Sequence, residues 1–233
     1  MNGKYLEETT MLDFSSPSIR SLVRERGWMN LSETERVRSI YLFVRDEILF
    51  GYNTDDSIPA SKVLSDGYGQ CNTKGTLFMA LLRSSGIESR IHGFTIDKRL
   101  QKGAMTGLVY LLAPRSVFHS WVEVLLDGVW YELEAFILDK TYLEKLQRKF
   151  SSCEGPFCGY GVAVRDFKNP VIDFNLNNTY IQSEGITRDY GVYDSPDELL
   201  AEHHQEISPL KAFVYRHIGR HLMNRNVTRI RKG

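Results

Sequence analysis

Residues 118–134 read Phe118-His119-Ser120-Trp121-Val122-Glu123-Val124-Leu125-Leu126-Asp127-Gly128-Val129-Trp130-Tyr131-Glu132-Leu133-Glu134. Asp-Gly between two alternating runs is the strongest short-range hairpin signal, because both residues tolerate the positive φ of turns that match strand twist. A two-residue loop there sets Leu126 opposite Val129, Trp121 opposite Glu134 and His119 opposite Phe136. Side chains alternate between the faces of a sheet. One face therefore carries His119, Trp121, Glu123, Trp130, Glu132 and Glu134. The other carries Phe118, Val122, Val124, Leu126, Tyr131, Leu133 and Ala135, and must be buried. His119 and Glu134 become diagonal neighbours, roughly 7–8 Å apart at the backbone. A carboxylate at that reach fixes an imidazole's tautomer and stabilises its protonated form, which is what a general base needs. Taken singly, His119 reads as a half-buried strand histidine and Glu134 as an exposed strand carboxylate. The shared face lifts both above that reading, and a single bulge would undo it.

Upstream, Asp66-Gly67-Tyr68-Gly69-Gln70-Cys71 is a glycine-punctuated turn leading into Leu77-Phe78-Met79-Ala80-Leu81-Leu82, with a stop at Ser84-Ser85-Gly86. Six consecutive apolar residues leave no polar face, so this helix is central and buried. Cys71 lies at its start, where aligned backbone dipoles and free N–H groups stabilise a thiolate. Ser32 and Glu35 have capping-box spacing ahead of Val37, Ile40, Tyr41, Val44 and Ile48, which predicts an amphipathic helix over about residues 33–49. A short helix is expected at 61–64, strands at 87–94, 116–126 and 129–136, and another helix at 141–150. Residues 95–115 read as a loop with a short helix, placed to act as a lid. Residues 151–209 read as loops with short strands.

The whole chain has 29 basic and 29 acidic side chains, which argues against a dedicated nucleic-acid binder. The balance is uneven along the chain: residues 211–233 carry Lys211, Arg216, Arg220, Arg225, Arg229, Arg231 and Lys232 and no acid. Phe213, Val214, Ile218 and Leu222 recur at helical spacing there, which predicts a terminal helix docked by that stripe on an acidic body. Three cysteines are too few for a disulfide framework. With no basic start and apolar run at the N-terminus and no apolar stretch of membrane-spanning length, the expected location is cytoplasmic, without membrane or nucleic-acid partners. Cys153 and Cys158 have half a zinc spacing but no matching second pair, and His203, His204, His217 and His221 make a weak metal candidate. No metal and no cofactor is expected.

The blocks Gly69-Gln70-Cys71, Leu77 to Arg83, Gly86 to Arg90, His119-Ser120-Trp121-Val122-Glu123-Val124, and Gly128 and Trp130 with an acid four residues later resemble the transglutaminase-like superfamily. They occur in that family's order over about residues 35–145. The resemblance implies an α+β fold with a papain-like core, in which the cysteine-bearing helix packs on an antiparallel β-sheet. It implies Cys71 as nucleophile, His119 as general base and then acid, and Glu134 as the orienting carboxylate. The family's third member is usually Asp, so Glu134 departs from the pattern, and Asp139 is the fallback acid. Domain organisation follows as a catalytic core over 1–150 and an extension over 151–233 packed on it.

The implied reaction is thiolate attack on an amide, ester or thioester carbonyl, then acyl transfer to water or an amine. An oxyanion hole is required, with the Cys71 N–H as one donor and the side chain of Gln70 or Tyr68 as the second. Trp121 is either core or a substrate wall. The leading expectation is an amide or peptide hydrolase acting on a peptide, protein or small acyl substrate. The alternatives are an acyltransferase using the same triad and an amine acceptor, or a binding module that keeps the fold without catalysis.

Overall fold

The computed structural model describes residues 3–205 and 207–233. The first half runs α1 (Pro17–Glu25), α2 (Glu33–Asp46), β1 (Leu49–Phe50), α3 (Ala60–Asp66), β2 (Tyr68–Gly69), α4 (Cys71–Ser84) and β3 (Ser89–Asp97). It continues through α5 (Gly107–Leu112), β4 (Ser116–Leu126), β5 (Val129–Leu133) and α6 (Lys140–Lys149). The remainder comprises β6 (Phe157–Gly159), β7 (Val162–Val164), β8 (Ile186–Tyr193), α7 (Pro196–Glu202), α8 (Pro209–Val214) and α9 (Arg220–Lys232). A single π-helical turn, Tyr215–Gly219, joins α8 to α9.

Ser32 caps α2 reciprocally with Glu35, as the spacing requires. Helix α4 is buried at every position from Cys71 to Arg83, between the helical layer of α1, α2 and α3 and the strand β4. Gly75 permits this closeness, since its Cβ position lies 3.6 Å from Val122 of β4. The main sheet is antiparallel in the order β5-β4-β3-β8. The fold is thus α+β, with the cysteine-bearing helix packed on an antiparallel sheet.

At the deciding hairpin, Asp127 and Gly128 both have positive φ, 49° and 79°. Leu126 pairs with Val129 and the register holds as far as Val122 with Leu133. The expected strand over 129–136 stops there: Glu134 is helical (φ −116°, ψ −34°), and Ala135–Ile137 form a 3-10 turn. Neither Trp121–Glu134 nor His119–Phe136 is a ladder pair. The departure has a packing cause. By turning off the sheet the chain sends Phe136 into the core, 5.1 Å from the Phe78 ring of α4, while the Glu134 N–H donates to the Thr179 carbonyl instead of the ladder.

Two further expectations change. Helix α1 lies where the sequence pattern showed no helix, and within residues 151–209, read as loops with short strands, β8 is an eight-residue strand of the main sheet. In β8 the exposed run Thr187, Arg188 and Asp189 hides an edge strand that pairs with β3. The terminal helix does dock, but by its other face: Met223 and Val227 are buried, whereas Phe213, Ile218 and Leu222 are 59, 55 and 47% exposed. The π turn before α9 shifts the helical phase, and the polar anchors Asn224 and Arg231 select the docked side.

Candidate active site

Cys71 is the first residue of α4 and is 8% exposed. The turn before it is held by Asn53: the Thr73 hydroxyl donates to Asn53 Oδ1 (2.6 Å) and accepts from the Gln70 N–H (3.1 Å). Gly69 allows this packing, since a Cβ there would sit 2.7 Å from Thr73 Oγ1. The Cys71 N–H lies in the first helical turn, where amides lack intrahelical acceptors. One residue further, Asn72 Oδ1 accepts from Ser120 Oγ at 2.9 Å. The neighbour of Cys71 is thereby bonded to the neighbour of His119, which locks helix start to strand.

His119 is fully buried in β4, and its Nε2 lies 2.7 Å from Glu134 Oε1. The other carboxylate oxygen, Oε2, accepts three backbone N–H groups, from Ile181 (2.7 Å), Gln182 (2.8 Å) and Ser183 (3.1 Å). His119 Nδ1 is buried and makes no hydrogen bond among the described residues. Burial alone would lower the pKa of His119; the Cys71 thiol and then the Glu134 carboxylate reverse this and raise it to about 10. The imidazole is therefore gripped at Nε2, free at Nδ1 and electrostatically coupled to the thiol.

The remaining site expectations fall as follows. Gln70 caps the helix, but its side chain is engaged elsewhere, with Oε1 accepting from the Asn53 N–H (2.9 Å) and Nε2 donating to Asp56 (2.8 Å). Burial raises the Asp56 carboxyl, and Gln70 and Asn72 partly offset this. Tyr68 is half-buried against Gly51. Trp121 is 6% exposed and packs behind His119 against Phe94 (4.1 Å) and Tyr180 (5.6 Å), so it builds core on the histidine's face. Asp139, the fallback acid, caps α6 and pairs with Arg231 through Nε (3.0 Å) and Nη2 (2.6 Å). It is committed to holding the C-terminal helix rather than His119.

Sequence reasoning missed the cradle over residues 181–183, because Thr179-Tyr180-Ile181-Gln182-Ser183 has no motif and acts through backbone amides. It also missed Tyr52, which is buried within electrostatic reach of Cys71 and donates its hydroxyl to Gln101 Oε1 at 2.8 Å. Among the described residues no cluster of three His, Cys, Asp or Glu side chains is placed to hold a metal ion, and no helix is long and apolar enough to cross a membrane.

The family model of the transglutaminase-like superfamily matches residues 23–135, a span that includes Cys71, His119 and Glu134. No curated protein matches the chain. Among solved structures it is similar to a candidate cysteine protease from Cytophaga hutchinsonii, with 11% identity, 83% of this chain and 47% of the other covered, and a TM-score of 0.44. It is also similar to a candidate protease from Parabacteroides distasonis, with 18% identity, 56% and 26% covered, and a TM-score of 0.35. The chain spans less than half the length of either structure.

Proposed function

From the transglutaminase-like core over residues 23–135, we propose that the protein is a cysteine-dependent acyl-group enzyme, with amide hydrolysis as its reaction. The observation that carries this is the division of labour at Glu134. One oxygen orients His119 Nε2, and the other is saturated by three backbone amides, so Nδ1 is left for the thiol. His119 Nδ1 takes the thiol proton as general base, which makes the sulfur a nucleophile. Sγ attacks the carbonyl carbon and the carbonyl electron pair moves onto oxygen, which the Cys71 N–H receives. As the C–N bond breaks, His119 gives its proton to the departing amine. Water then attacks the thioester, its proton passes to His119 and the thiolate leaves.

A second reading, transfer to an amine rather than water, is favoured by the burial of both Cys71 and His119, because a water-poor site protects a thioester from hydrolysis. The segment over residues 95–115 contributes to that enclosure through Gln101 and its bond to Tyr52.

Mass spectrometry of the protein after exposure to a cell extract tests both readings. An acyl adduct is expected on the Cys71 peptide, absent in Cys71→Ala, and its decay should quicken with an added primary amine only if transfer operates. An adduct confined to Cys153 or Cys158, or none on Cys71, would overturn the proposal.

A further inference from the structure

Away from Cys71, the loop ahead of α5 and the β6 hairpin enclose a groove of about 440 Å³. Its lining includes the rings of Tyr110, Phe150, Phe157 and Tyr160, with the exposed residues Lys102 and Cys158. The hairpin is fixed by the Tyr160 N–H, which donates to the Lys102 carbonyl at 2.8 Å. Gly103 is required under the tyrosine, since a Cβ there would stand 2.4 Å from the Tyr160 ring. The aromatic walls brace one another, with Phe150 at 5.1 Å from Phe157 and 5.2 Å from Tyr160.

Lysines stand at the tyrosine rings, while Asp97, the acid within electrostatic reach of Cys158, is paired with Arg99. Lys149 Nζ lies 4.8 Å from the Tyr160 ring centre and 3.2 Å from its hydroxyl, and Lys98 Nζ lies 5.0 Å from the Tyr110 ring centre. No lining residue is acidic. Aromatic cages ordinarily take a cation. Here the protein's own lysines already stand at both tyrosines, so a ligand cation meets repulsion where an anion meets attraction.

We propose that this groove is a binding site for a small aryl carboxylate, of the size of an aromatic amino acid, with its ring among Phe150, Phe157 and Tyr160 and its carboxylate toward Lys102. The volume lies within the range of small-molecule sites. The site stands independently of the chemistry at Cys71.

Cys158 is a built-in reporter, because a ligand in the groove covers its thiol while leaving Cys153 untouched. The test is the rate of iodoacetamide alkylation at each cysteine, read by peptide mapping at mildly alkaline pH, with N-acetylphenylalanine, its neutral amide, or cationic phenethylamine present. A ligand of this size has a dissociation constant of about 1 mM. At about 10 mM, N-acetylphenylalanine should therefore slow Cys158 alkylation about tenfold, with the amide weaker and phenethylamine inert. Lys102→Glu, an exposed position, should abolish the protection, and Tyr110→Ala should weaken it. Equal protection by phenethylamine, or no protection by N-acetylphenylalanine, overturns the proposal.

Discussion

Glu134 reaches further than the aspartate usual in the motif it resembles, and the added methylene spans a real gap. The strand has already ended at Leu133, so the carboxylate reaches back to His119 Nε2 while its other oxygen enters the cradle over residues 181–183. Glu134→Asp should lose one of the two grips and slow acylation of Cys71 by about 10- to 100-fold, while Glu134→Gln, which removes the charge, should cost about 10³- to 10⁴-fold. Single-turnover labelling of Cys71 measures both. Titration offers a second test at this scale. The pKa of His119 is raised from 6.5 to about 10, so its contribution to stability is complete below 6.5 and is lost as pH rises through about 10. Lys74, buried in α4 with its Nζ on the carbonyls of Arg45 and Ile137, runs the other way. Burial lowers its pKa from 10.5 to about 7, so the unfolded chain holds more protons in that window and stability rises with pH. The two largely cancel in the native protein. Lys74→Met should uncover the loss, as a urea midpoint that falls from about pH 7 to 10 where the parent's stays nearly level.

At the scale of elements, the decisive joint is the Ser120–Asn72 hydrogen bond between β4 and α4. Ser120→Ala leaves Asn72 Oδ1 without that donor at a buried position and should cost about 1–2 kcal/mol in chemical denaturation. It should also slow Cys71 acylation, while Ser32→Ala, at the distant α2 cap, should cost about 1 kcal/mol and leave the rate alone. The joint was partly legible in sequence. Period-two alternation and Asp127-Gly128 set the register of the hairpin, and the apolar run over 77–82 marked α4 as buried. The turn at Glu134 was not legible, because its cause is tertiary: it sends Phe136 into the core beside Phe78 of α4. The length of strand β8 and its place in the main sheet escaped notice for a related reason. An edge strand with one wet side carries polar residues that local pattern assigns to loop.

For the molecule as a whole, the C-terminal helix is part of the foundation of the site. Asn224 bonds both the N–H and the carbonyl of Tyr52, the Tyr215 hydroxyl bonds the Asn53 carbonyl, and Arg231 bonds the Phe50 carbonyl and Asp139. Segment 50–53 in turn carries Asn53, which supports Gln70 and Thr73 at the helix start. Arg231→Ala leaves the nearly buried Asp139 carboxylate without its cation and should destabilise the protein by about 3 kcal/mol. Thermal unfolding measures that loss, and Arg231→Lys, which keeps the charge but not the bidentate fork, should recover only part of it. Composition showed the basic run but not its use, because charge spacing does not reveal which arginine turns inward. The cradle adds a consequence in time. Ribosomes make Cys71 and His119 well before Ile181, Gln182 and Ser183, which follow Glu134 by 47–49 residues. On the mechanism proposed above, a nascent chain therefore carries a thiol whose histidine is not yet oriented until residues 181–183 emerge, and the order of synthesis delays activity while the unfolded polypeptide is still surrounded by peptide bonds, including its own.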